Sequence, residues 1–91
     1  MYQILPYTQR QAKRIGVTVR PSKRGDKKID VFRDGERVAS VGHIKYPDYP
    51  HYIRSHGKEF ADERRKLYRR RHTPHRLKKG TPSWFADNLL W

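Results

Sequence analysis

The chain has 91 residues, no cysteine, and 22 Lys/Arg against nine Asp/Glu, giving a formal net charge of +13 at pH 7. That length allows one domain that buries only roughly 60–65% of its unfolded surface, and the absence of cysteine excludes disulfides, thiol catalysis and thiolate metal sites. So large a positive excess calls for an anionic partner: nucleic acid first, an acidic protein or membrane surface after it.

No apolar run approaches the roughly 18–20 residues of a membrane span, and no signal-peptide pattern opens the chain. The expectation is a protein neither secreted nor transmembrane.

In chain order, the first predicted element is a helix from Thr8 to Gly16. Thr8 and Gln11 stand at capping-box spacing, and Gly16 is suited to stop the helix. Val17-Thr18-Val19 reads as a short strand ended by Pro21. Two strands, Lys28–Arg33 and Glu36–Val41, then flank Asp34-Gly35, a two-residue hairpin turn. An unbulged hairpin sets Val31 opposite Val38 and Ile29 opposite Ser40, and a bulge at the turn would shift both pairs. Asp48 is placed to cap a helix running to about His56, with Pro50 in its first turn and Gly57 at its end. Lys58–His72 is predicted as the principal helix. Its acids Glu59, Asp62 and Glu63 lie early and its arginines late, as the helix dipole favours. Thr81 and Pro82 start a last, aromatic helix over about 82–90, which faces inward through Phe85, Leu89 and Leu90 or through Trp84 and Trp91. Residues 1–7 and Trp91 are read as packing elements. The sum is a single α+β domain over residues 1–91: a small antiparallel sheet packed with three to four short helices.

Between Arg64 and Lys79, nine Lys/Arg and two His occupy sixteen residues with no acid among them. Such a run repels itself unless a polyanion, counterions or acidic neighbours neutralise it. Arginine's planar fork can hold two phosphate oxygens, and lysine supplies a mobile point charge. Helical spacing places Arg65, Arg69 and His72 in one row and Lys66 and Arg70 in the next. Phe60, Leu67 and Tyr68 are expected to face the core. Arg64, Arg71, Arg76, Lys78 and Lys79 complete the candidate nucleic-acid-binding set. If about six phosphates are neutralised, log K should fall against log salt with a slope near −5 on duplex DNA. Reversing Arg65, Arg69 and Arg70 to Glu is then expected to abolish binding and spare the fold.

Tyr46, Tyr49 and Tyr52 are candidate stacking residues for unpaired bases. The alternative, that they pack a proline-rich loop onto the core, is the favoured reading. No zinc-finger spacing, RNA-recognition aromatic motif or helix-turn-helix pattern is present, so binding is expected to be largely independent of sequence. His43, His51, His56, His72 and His75 fall into no ligand spacing, and neither a metal nor another cofactor is expected. Asp30, Asp34 and Glu36 raise a nuclease reading. However, the turn explains Asp34, Lys28 and Arg37 are expected to pair with Asp30 and Glu36, and the Glu-x-Lys element of one common nuclease site is missing. The chain therefore reads as non-catalytic.

Three segments taken together, Lys28–Phe32, Arg64–His72 and the ending Lys79-Gly80-Thr81-Pro82-Ser83-Trp84 with Leu89-Leu90-Trp91, resemble a family of short basic proteins encoded by large double-stranded DNA viruses of algae and protists. The C-terminal pattern, over roughly residues 58–91, is the more specific part. Many of those proteins carry Gly followed by an aromatic near the Pro82 position, where Ser83-Trp84 stand here. The resemblance implies a viral setting, in the virion or in the nucleus or cytoplasm of the infected cell, and favours DNA over RNA as partner. It carries over no activity and no catalytic residue. It also implies a second reading, a minor capsid protein whose arginines bind acidic coat-protein surfaces and whose last helix anchors an interface.

Overall fold

The computed structural model describes residues 2–91. Four helices, α1 (Pro6–Ile15), α2 (Tyr49–His56), α3 (Lys58–His72) and α4 (Pro82–Leu90), accompany three strands, β1 (Thr18–Pro21), β2 (Lys27–Arg33) and β3 (Glu36–His43). The strands form one antiparallel sheet in the order β1-β2-β3, so the fold is the small α+β architecture expected.

Helix α1 begins two residues earlier than the Thr8 capping box implied. Pro6 supplies the first helical position, with its fixed φ, and Leu5 stands at the N-cap without a side-chain bond. Thr8 instead lies inside the helix and is fully buried, and its hydroxyl donates to the Leu89 carbonyl at 2.9 Å. That carbonyl belongs to the last turn of α4, where no helical donor follows. At the other end Gly16 takes a left-handed conformation (φ 76°), while the Gly16 and Val17 N–H groups reach back to Lys13 and Ala12. This double closure delivers Val17 into the core. Replacing Thr8 by valine keeps the shape and strands the Leu89 carbonyl, a loss of about 1–3 kcal/mol. In urea the midpoint should fall with an unchanged slope; an unmoved midpoint would refute the assignment.

Asp34 (φ 52°) and Gly35 (φ 81°) both adopt the left-handed conformations of a tight hairpin turn, and Arg33 faces Glu36 across it. The predicted register fails one step further on. Phe32 pairs with Arg37 but Val31 with Ala39, Asp30 with Ser40 and Ile29 with Val41, so Val38 is an extra residue bulged to the surface. The reason is the side-chain period of two. An unbulged strand sends Val38 and Ser40 to the face of Ile29 and Val31, whereas the bulge sends Ala39 and Val41 there. The bulged arrangement buries four apolar side chains on one face and leaves Ser40 to hydrogen-bond Asp30.

Helix α4 supplies the rest of the core. Phe85, Leu89 and Leu90 are buried among Ala12, Val17, Val19, Ile29, Val31, Ala39 and Val41. Trp84 and Trp91, offered as an alternative inward pair, pack half-buried at its margin. Thr81 caps α4 by accepting from the Trp84 N–H, as predicted.

Helices α2 and α3 pack mainly on each other, and their bounds match the sequence reading. Asp48 caps α2, and Gly57 (φ 90°) separates the two helices. Among α3 side chains only Ala61 is buried, so this pair is held by polar and aromatic contacts rather than by the aliphatic core. Of the opening segment expected to pack on the domain, Met1 lies outside the described residues, and Tyr2 hydrogen-bonds to Asp48.

Candidate nucleic-acid interface

The inward stripe of α3 is Ala61, Arg65, Tyr68, Arg69 and His72, spaced four, three, one and three residues apart as one helical face requires. Phe60 and Leu67, expected inside, are exposed. Phe60 stacks on His56 at 4.4 Å instead of entering the core. The predicted outward row of Arg65, Arg69 and His72 is therefore the packed row, and each member has a partner. Arg65 lies over the Tyr49 ring, 4.0 Å from its centroid, and 3.5 Å from Asp62. Arg69 lies 3.2 Å from Asp87 and donates to the Trp91 carbonyl. His72 stacks on Tyr68 at 4.0 Å, with its Nδ1 2.8 Å from the Tyr68 carbonyl.

Asp87 on α4 also takes Arg76, at 3.5 Å, and Arg76 donates to Thr73 as well. The acid-free run thus finds a neutralising neighbour elsewhere in the chain. Lys66 sits 3.6 Å from Glu63 on the solvent side. Lys78 and Lys79 are exposed beyond the 3-10 turn His75–Leu77.

Arg64, Arg70 and Arg71 point another way. With Tyr68 and His72 they form one wall of a groove of about 1140 Å³. The opposite wall comes from Lys27, Lys28 and Ser40–His43 of the hairpin, with Tyr46 and Pro47 following it. Tyr52 of α2 and Leu90 and Trp91 at the end of α4 close the rest. Not one Asp or Glu side chain lines the groove. Among the described residues, Lys27, Arg64, Arg70 and Arg71 have no carboxylate within 4.0 Å. Arg64 is steadied by the rings of Tyr52 and Phe60, at 5.7 and 5.4 Å, which orient a guanidinium without neutralising it. Lys28 differs: its Nζ is buried and bound to Asp48 at 2.9 Å.

The groove is aromatic as well as basic. Trp91 stacks on Tyr68 with centroids 4.4 Å apart and planes 10° from parallel, and Tyr52 lies 6.2 Å from Trp91. Burial and the nearby Asp87 carboxylate push the Tyr68 hydroxyl up to about 12, so it stays a neutral donor. Tyr46 is 67% exposed and tilts against His43. Of the three candidate stacking tyrosines, Tyr46 and Tyr52 thus reach the groove. Tyr49 does not: its ring is buried and its hydroxyl donates to Asp62 at 2.7 Å.

The groove adds Lys27, His43, Tyr68 and Trp91 to the set read from the sequence. They come from chain segments that meet only in the fold. The nuclease carboxylates are engaged differently from the pairing expected: Asp30 accepts from Ser40 and faces Arg24, while Lys28 serves Asp48. No group of His, Asp or Glu among the described residues is arranged to hold a metal ion. Among the described residues, no helix is long and apolar enough to cross a membrane.

No family model, curated protein or solved structure matches this chain.

Proposed function

We propose that the protein binds the backbone of nucleic acid through this groove, largely without regard to sequence and without catalysis. The single observation that carries the reading is a groove free of acidic side chains whose cations Lys27, Arg64, Arg70 and Arg71 have no protein counter-charge. Among the described residues, most Lys and Arg have no carboxylate within 4.0 Å, and what sets these four apart is that they gather at one acid-free groove, where an external anion can meet several of them at once. Nothing around them offers the paired donors and acceptors that read base edges. DNA is proposed ahead of RNA as the partner, as expected from the sequence.

The test is a titration of labelled duplex and single-stranded DNA across a salt series, without and with magnesium. With about four phosphates neutralised, log K should fall against log salt with a slope of about −3 to −4, shallower than the count of basic residues in the run suggests. Absence of binding at moderate salt would overturn the reading in favour of an acidic protein partner. Magnesium-dependent cutting would overturn its non-catalytic half.

A further inference from the structure

The nucleic-acid reading leaves open which form of nucleic acid occupies the groove, and the aromatic lining bears on that choice. We infer that the occupant is a single strand, with unpaired bases stacked on Tyr46, Tyr52 and Trp91 while its phosphates meet Lys27, Arg64, Arg70 and Arg71. The inference rests on the function proposed above.

Two features of the groove favour a single strand. The first is where the charges lie. Lys27 starts β2, whereas the three arginines lie on α3, so the cations that line the concavity come from two different elements rather than from one convex ridge. A duplex touches a basic surface with its outward phosphates and keeps its bases stacked and paired inside. It would meet the rims and leave the interior empty. The volume, just above the roughly 300–1,000 Å³ of small-ligand clefts, suits a short stretch of unpaired chain.

The second is the ring surface. Tyr68 is stacked by His72 at 4.0 Å and by Trp91 at 4.4 Å, so the Trp91 ring ends a three-ring stack that is set before any ligand arrives. Tyr46 is a large side chain left mostly in water, its ring tilted against that of His43. Exposed tyrosine among unpaired arginines is the combination that sequence-tolerant single-strand binders use, because every base has a π-face.

The experiment compares one mixed-sequence single strand, its duplex, and a single strand of equal length and charge with abasic positions. The intact single strand should bind about tenfold or more tightly than either of the others. Tyr46→Ala, at a residue outside the aliphatic core, should remove most of that advantage, bringing the intact single strand down towards the abasic one. Tyr52→Leu serves as a second variant. Equal binding of duplex or abasic strand would overturn the inference while leaving a backbone binder. A single-strand preference untouched by both variants would place the bases elsewhere and overturn this site. Failure of all three probes to bind would remove the proposed function itself.

Discussion

Reversing Arg64, Arg70 and Arg71 to glutamate is expected to weaken nucleic-acid binding by about 10²-fold at moderate salt, from roughly fivefold per lost exposed charge contact. The same variant should stay folded with only a modest drop in melting temperature: no carboxylate partner is lost and lowering a net charge of +13 relieves self-repulsion, against the cost of acids in the last turn of α3 and of the Arg64 ring contacts. Its salt slope should collapse towards that of one remaining contact. The matched comparison is Arg65 with Arg69. Reversal at Arg69 sets a new carboxylate against Asp87, and at Arg65 one against Asp62 and the Tyr49 ring. That pair should lose stability first and binding only as a consequence. Retained affinity in the folded triple variant would refute the groove as the binding surface. A triple variant that unfolds while the Arg65/Arg69 pair stays stable would refute the division of the arginines into packed and free sets.

That division is where the sequence was least legible. The bounds of α3 could be read from Gly57 and Pro74, but its orientation could not. Phe60, Leu67 and Tyr68 looked like the core face because large apolar side chains usually are. The surface facing α3, however, is not aliphatic. It consists of Tyr49, Trp91 and Asp87, beside the helix's own Asp62, and a surface of rings and carboxylates is best covered by arginine, tyrosine and histidine. Each of those partners except Asp62 lies on another element, so no window along the chain displays the match. The hairpin shows the same limit on a smaller scale. Asp34-Gly35 announced the turn, yet the bulge at Val38 is decided by which face of β3 meets α4. Local chemistry that acts locally was readable at the Asp48 cap, the Thr81 cap with Pro82, and Gly16, but not at Thr8, whose hydroxyl is taken by the distant Leu89 carbonyl. The groove lies between these classes, since its cations were visible as charge but its walls exist only after β2, α2, α3 and α4 have met.

The largest expected loss of stability comes from Asp48, which does more than cap α2. It is fully buried and receives Lys28 Nζ at 2.9 Å and the Tyr2 hydroxyl at 2.5 Å on one oxygen, with His51 Nδ1 2.8 Å from the other. The carboxylate thereby joins residue 2, the strand β2 and the start of α2, and so holds the helix pair that carries Arg64, Arg70 and Arg71 against the hairpin that carries Lys27. Asp48→Asn retains the size and much of the cap but leaves the Lys28 ammonium, 4% exposed, without a counter-charge. Removing one partner of a buried pair costs about 3–5 kcal/mol. In a domain of this length that lowers the melting temperature by at least about 12 °C. Adding Lys28→Met should recover much of the loss, because a buried ion pair can be replaced by apolar side chains at little net cost. Acid should reveal the same interaction. Burial pushes the Asp48 carboxyl up, but the Lys28 charge and the hydrogen bonds from Tyr2, Lys28 and His51 outweigh it and hold the group below its ordinary value. A depressed folded-state value means that the unfolded chain binds the proton more readily. The contribution is therefore complete above about pH 4 and is lost as pH falls through the lower folded value. Asp30, where hydrogen bonding from Ser40 and the charge of Arg24 outweigh desolvation, and Asp62, held by Lys58 and Tyr49, are shifted the same way. The variant should thus lose part of the acid slope of the stability curve rather than all of it. An Asp48→Asn protein that melts and titrates like the parent would show that the pin carries no weight, and the two walls of the groove would need another account of what keeps them in register.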